Sequence, residues 1–351
     1  MRRASFHVHT SFCDGSADPE EMVLAAIAAG FSDIGFSAHA IWPFASEWNM
    51  QVARYPEYIA EIGRLKAAYA GRIAVHCGFE ADYFPGLSAP DPSFYARFDP
   101  DFLIGSVHFV RSDRRRKAPV QPWSVDGPAS EVARGIAECF DGDGKRAAIA
   151  YWRTVREMVQ TCRFDIVGHL DLLRKRNGEL AFFDEDASWY RRELAETVRA
   201  IARSGHIVEL NTGAIARKAM DALYPSDGLL ALLCRAGVPV MINSDAHSGS
   251  AIACAYDRAA EADTPCRLHH PYLPLGRPVG PDRFLTGSAR FGKGFPYGIF
   301  KCWGSGETFL PRRLPARKLS ERGEAALHAG PCRRRNDCAG KRALPRRQRY
   351  S

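Results

Sequence analysis

The stretch Phe6-His7-Val8-His9-Thr10-Ser11-Phe12-Cys13-Asp14-Gly15 decides the fold. Residues 5–8 read as a short strand, in which positions i and i+2 share a face. His7 and His9 therefore aim two imidazoles at one point. Ser11, Asp14 and Gly15 supply the turn chemistry that follows, and the turn carries the Asp14 carboxylate back toward the same place. Asp18-Pro19-Glu20-Glu21 then opens a helix, with Asp18 as N-cap, Pro19 at its first position and acids in its first turn. A strand that ends in ligand-type side chains and runs straight into a helix is the first unit of a β/α barrel, with its site at the strand's C-terminal mouth. Alone, a His-x-His pair also fits two polar residues on an edge strand, so the rest of the chain decides.

The pattern recurs. Residues 33–37 form a second short apolar run ending at His39. Residues 72–79 deliver Glu80, 101–107 end at His108, and 164–168 end at His169. Residues 206–210 lead to Asn211, and 238–243 lead into Ser244-Asp245-Ala246-His247. Helical spacing fills the intervals at 22–29, 55–69, 151–161, 189–203, 229–236 and 251–262. Residues 111–143 read as a charged loop. Seven β runs alternating with helices predict parallel βαβ units with right-handed crossovers. Polar residues at nearly every strand end favour a barrel over an open sheet, whose site would gather at one switch point.

Composition narrows the function. The 351 residues are 46% hydrophobic and carry a formal charge of +8. That charge is uneven: residues 264–351 hold 19 Lys and Arg against 5 Asp and Glu, leaving the preceding 263 residues at −6. A nucleic-acid partner is not expected for the body. No apolar run reaches membrane-spanning length, and Met1-Arg2-Arg3 leads into a strand, not a secretory signal. The ten cysteines include no CxxC pair and read as free thiols, with Cys77, Cys162 and Cys234 as core fillers; a cytoplasmic location is expected.

Six of the eleven histidines fall at strand ends, together with three carboxylates. Each histidine alone has a structural explanation, but nine such groups at one mouth would repel and crowd without cations. Imidazole and carboxylate together suit Zn, Fe or Mn. His7-Val8-His9-Thr10 with Asp14, His39, Gly78-Phe79-Glu80, Gly105-Ser106-Val107-His108, Gly168-His169-Leu170-Asp171 and Ser244-Asp245-Ala246-His247 resemble the motifs of the PHP (polymerase and histidinol phosphatase) family. Glu209-Leu210-Asn211-Thr212 adds a string similar to its histidinol-phosphatases.

The resemblance implies a distorted (β/α)7 barrel of class α/β over residues 1–263 and a site for two or three divalent ions. His7, His9, Glu80 and Asp245 would hold the first ion. Glu80 would bridge to a second on His108 and His169, and Asp14, His39 and His247 would hold a third. Asp14, His247 and Glu80 are the expected catalytic residues, and Arg174 and Arg217 the expected phosphate contacts, with Lys175, Arg176 and Lys218 as competitors. Ser37-Ala38-His39 departs from relatives that carry an Asp before this His. Trp123, Asp126 and Glu209 are unranked candidates for contacting the organic part of the substrate. His76 reads as core or as support for Glu80, and His206 as structural.

The implied activity is hydrolysis of L-histidinol phosphate, a small phosphomonoester, in histidine biosynthesis. Two other readings stay open: a phosphoesterase acting on nucleotides or nucleic-acid ends, and a non-catalytic metal-stabilised module. A homo-oligomer is compatible with either. From residue 264 onward periodicity and capping vanish, and ten of the 22 prolines fall there. Residues 264–351 are expected to be a disordered basic tail, or the product of a shifted reading frame, carrying no catalytic residue.

Overall fold

The computed structural model describes residues 3–40, 46–112 and 122–263. The expected tail from residue 264 lies outside the described residues.

Seven parallel strands form one nearly closed sheet: β1 (Arg3–Ser5), β2 (Phe31–His39), β3 (Ala74–Asp82), β4 (Phe102–Ser106), β7 (Ile166–Val167), β8 (Ile207–Asn211) and β9 (Val240–Asn243), neighbours in that order. Helices α1 (Pro19–Ala28), α2 (Tyr55–Ala68), α5 (Gly144–Thr161), α7 (Ser188–Ser204) and α9 (Asp227–Arg235) fill the crossovers, and α10 (Tyr256–Asp263) follows the last strand. Short helical pieces α3 (Pro92–Tyr95), α6 (Asn177–Leu180) and α8 (Gly213–Ala216) sit in the connections. This is the mixed α/β, seven-stranded barrel expected from the strand count.

Local signals explain the entry into the fold. Asp18 caps α1 by accepting from the Glu21 N–H at 2.8 Å, and the Glu21 side chain accepts from the Asp18 N–H at 3.0 Å. Such a reciprocal box satisfies two donors the helix cannot. The first strand is shorter than expected: its ladder ends at Ser5, and His7 and His9 follow in extended chain. The segment bonds to β2 on one side, where Val8 O accepts from the Ser37 N–H at 3.0 Å, and crosses the closing seam on the other. Val8 bridges Ala246, with His9 N–H donating to Ala246 O at 2.8 Å. Ser5 Oγ and Ser244 Oγ meet 2.9 Å apart beside it.

Inside the barrel, strand alternation sorts chemistry by height. Phe6, Phe102, Ile104, Ile166 and Met241 form a buried apolar plug. Two residues further along β4 stands Ser106, and β3 carries Glu80 and Asp82 above Gly78 at the same spacing. A Cβ on Gly78 would come within 2.5 Å of the Phe102 ring, so the bare backbone there makes room for the plug. Apolar floor below and polar mouth above follow from one parity rule applied to seven strands.

A loop is expected over residues 111–143; among its described residues, 111–112 and 122–143, the structure shows regular elements instead. β5 (Phe109–Val110) pairs antiparallel with β6 (Trp123–Ser124), and α4 (Ala129–Phe140) follows. Val132, Ile136, Cys139 and Phe140 form one buried stripe on α4. It packs on Trp123, whose ring lies 5.6 Å from that of Phe140. The charged positions around this stripe hid it from a reading by composition. Cys13, Cys77, Cys139, Cys162 and Cys254 are free, and Cys234 packs against the apolar core. No described helix is long and apolar enough to cross a membrane.

Candidate metal centre

Four ligand atoms converge at the mouth. His7 Nε2 lies 3.2 Å from Glu80 Oε2 and 3.6 Å from Asp245 Oδ1; His9 Nε2 lies 3.4 Å from each. A tetrahedral site with ligand distances of about 2.0–2.1 Å has ligand–ligand edges of about 3.3–3.4 Å. His7 Nε2, His9 Nε2, His39 Nδ1 and Glu80 Oε2 are buried and have no hydrogen-bond partner among the described residues. Leaving such groups unpaired costs about 1–3 kcal/mol each, more when charged. The donors therefore fit a divalent cation.

The nine expected ligands all reach this region, in overlapping sets. Glu80 sits in register with His39 of the neighbouring strand. Its Oε2 faces His7, His9 and His39, and its Oε1 faces His169 at 3.0 Å and His108 at 3.5 Å. One carboxylate thus joins two groups of imidazoles. Asp14 lies 3.2 Å from His247 and 3.7 Å from His39. The turn that returns it is tight: a Cβ on Gly15 would meet the Thr10 nitrogen at 2.5 Å.

A layer of acids and amides fixes the rings. His7 Nδ1 sits 2.9 Å from Glu209 Oε2 and His108 Nδ1 2.6 Å from Asp82 Oδ1. Glu209 also accepts from the His169 N–H and from the Asn211 and Asn243 amides. A carboxylate on Nδ1 fixes the tautomer that leaves Nε2 free for a metal.

Electrostatics agree with ligation. Burial would raise Glu80, yet His39, His7, His108 and His169 hold it well below the usual carboxylate range. Asp245 is likewise held low against burial, by Arg217 first and then His7. Burial drives His39 down to about 4, leaving a neutral imidazole. His7 is the opposite case: against burial, Glu209, Asp245 and Glu80 draw a proton onto it. The pocket is short of positive charge, and protons compete with metal for it.

A cavity of about 340 Å³ opens above the nine ligands, walled by Trp48, Phe109, Asp126, Glu131, Lys175 and Arg217. Arg217 holds Asp245 through two bonds of 2.7 and 3.1 Å. The expected Arg174 does not reach the cavity wall. It is tied to Glu185 at 2.8 Å and to the buried Asp171 at 3.5 Å. Its neighbour Lys175 faces the cavity, 3.3 Å from Asp126. Of the three candidates for the organic part, Asp126 lines the cavity, Trp123 is core, and Glu209 is buried under the ligands. His76 pairs with Asp33 at 3.2 Å, away from Glu80, and His206 stacks on Phe164. Reading the residues in order misses Glu131, Trp48 and the buried amide Asn243, and names Asn211 without a role. Only the i, i+2 spacing of Glu209 and Asn211 signals these amides.

Residues 5–213 match the PHP domain family. A probable histidinol-phosphatase of Deinococcus radiodurans is 31% identical, across 69% of this chain and 85% of its own length. The histidinol-phosphatase of Bacillus subtilis is 26% identical, across 74% of this chain and 99% of its own. Among solved structures, a putative histidinol phosphatase from Listeria monocytogenes superposes with a TM-score of 0.65 at 22% identity, covering 73% of this chain and 99% of that one. The histidinol phosphate phosphatase of Lactococcus lactis, complexed with zinc, L-histidinol and phosphate, gives 0.52 at 21% identity, covering 76% and 95%. These two likenesses bear on the fold. Asp245 and His247 lie beyond the matched stretch, yet the barrel closes them onto it. The chain belongs to the PHP domain family, among relatives named histidinol-phosphatases.

Proposed function

We propose that this protein hydrolyses L-histidinol phosphate to L-histidinol and phosphate, as a step of histidine biosynthesis. The observation that carries the reading is the set of unpartnered ligand atoms on the floor of a cavity that also presents Arg217 and Lys175. The names of the relatives, and the zinc, histidinol and phosphate in one of them, supply the substrate. Two or three divalent ions would sit on the nine side chains: one on His7, His9, Glu80 and Asp245, one on Glu80, His108 and His169, one on Asp14, His39 and His247. Bound ions neutralise a phosphate dianion and acidify water, to a pKa of about 7 in favourable cases.

The chain's own residues do the rest. Glu80 orients both imidazole groups through its two oxygens. Arg217 aligns Asp245 and presents the rest of its guanidinium to phosphate oxygens, which it matches bidentately. Asp14 and His247 are the most exposed of the nine ligands, with side chains 29% and 20% accessible. When no third ion occupies them, they form the pair at which a proton for the departing alcohol oxygen can be held.

The test is phosphate release from histidinol phosphate, AMP and p-nitrophenyl phosphate, with metal analysis of the same sample. A preference for histidinol phosphate with at least two metals per chain is expected. A ten-fold higher kcat/KM for AMP would overturn the reading in favour of a nucleotide substrate.

A further inference from the structure

The cavity has two parts of different chemistry. The metal-type ligands and Arg217 line one part of it, and β5, β6 and the first turn of α4 contribute the rest of its wall, with Phe109, Ser124 and Glu131. Five carboxylates line it: Asp14, Glu80, Asp126, Glu131 and Asp245. Four are committed. Asp14 and Glu80 face imidazoles, Asp126 faces Lys175, and Asp245 faces Arg217. Glu131 has no hydrogen bond or ion pair from its carboxylate among the described residues, although it is half-buried at the wall.

Its carboxylate lies against bare backbone. A Cβ on Gly127 would come within 2.9 Å of Glu131 Oε2 and 3.1 Å of Ser124 Oγ. The carboxylate therefore lies folded over the bare backbone of Gly127, where any side chain would push it aside. An acid that faces a cavity and lacks a protein cation is set up for a cation that arrives with the ligand.

We propose that Glu131 binds the organic cation of the substrate and makes the enzyme selective for phosphomonoesters whose alcohol carries an ammonium or imidazolium group. This rests on the reading of the protein as a phosphomonoesterase and adds the residue that chooses among such esters. With phosphate drawn to the metal-type ligands and positive charge drawn to Glu131, a zwitterionic ester binds in one orientation. A neutral or anionic alcohol gains nothing from Glu131, and an anionic one is repelled.

The experiment compares the metal-loaded wild type with Glu131→Gln and Gly127→Ala, using histidinol phosphate and p-nitrophenyl phosphate, whose alcohol carries no cation. In Glu131→Gln the ratio of the two kcat/KM values should fall about 10- to 100-fold, the range for a lost bond to a charged group, and the change should lie in KM. Gly127→Ala leaves the acid in the chain but displaces it, so it should lower the same ratio. An unchanged ratio in both variants, or a loss lying in kcat alone, would overturn the proposal. A wild type that hydrolyses neither ester would instead sink the phosphatase reading itself, and one that hydrolyses both without preference would sink only the role of Glu131.

Discussion

Glu209 shows how much of a metal site lies outside its ligands. One buried carboxylate orients the His7 ring, receives the His169 N–H at 2.6 Å and gathers two amides. Replacing it by Gln keeps the volume but removes the charge and turns one oxygen into a donor. Glu209→Gln should weaken metal binding about 10- to 100-fold, read as the chelator concentration that strips the protein; an unaltered stripping curve would dismiss the role. Asp245→Ala goes further, removing a proposed ligand and leaving Arg217 without its partner. It should lower metal content and cut phosphate release at least a hundred-fold, measured by metal analysis and turnover on one sample. Candidate ligands are legible where a strand end delivers a polar side chain, as at His39, His108 and His169. That Lys175 rather than Arg174 lines the cavity is not legible in the sequence, which shows that both follow a strand end but not that Arg174 turns away to Glu185.

At the scale of elements, each strand carries a division of labour, and two consequences can be measured. Gly78 faces the Phe102 ring, so Gly78→Ala overpacks the plug and should cost about 1–3 kcal/mol in urea unfolding. Phe102→Leu in the same chain should recover part of that loss, and no recovery would mean the strain lies elsewhere. The start of β8 contributes acid sensitivity. His206 stacks on Phe164 at 4.0 Å, and burial depresses it to about 4. The unfolded chain, near 6.5, then binds more protons than the folded one, so stability is complete above that value and falls as pH drops toward 4. The loss is on the order of 3 kcal/mol. His206→Phe keeps the stack and should flatten the decline between pH 7 and 4 in chelator-treated protein; parallel curves for both proteins would assign the sensitivity to other groups. Strand existence was readable here, since apolar runs ended in punctuation. Helix α4 was not, because its four apolar positions are diluted among charges and only Trp123, reached through a hairpin, tells which face they form.

For the molecule as a whole, the nine candidate ligands span residues 7–247. We propose that residues 1–263 are the working unit, and a chain ending at Asp263 should retain its metal and most phosphate release. Loss of activity in a folded, metal-loaded protein of that length would assign the remainder a part in catalysis. The overall architecture was the most legible feature, since seven repeats of one pattern reinforce each other where any single repeat is ambiguous. The closing seam was not, because pairing between the first and last strands leaves no local trace in either.

That seam sets a clock on synthesis. Asp14 and His247, which meet at 3.2 Å, are separated by 233 residues of chain. At the usual pace of about 5–20 residues per second, roughly 10–50 s pass between the emergence of one and the other from the ribosome. During that interval His7, His9 and Asp14 are on a chain that cannot yet enclose an ion. Any cation they hold is held by a fragment and exchanges freely with its surroundings. The order of the chain therefore places completion of the candidate metal centre after the docking of the last strand.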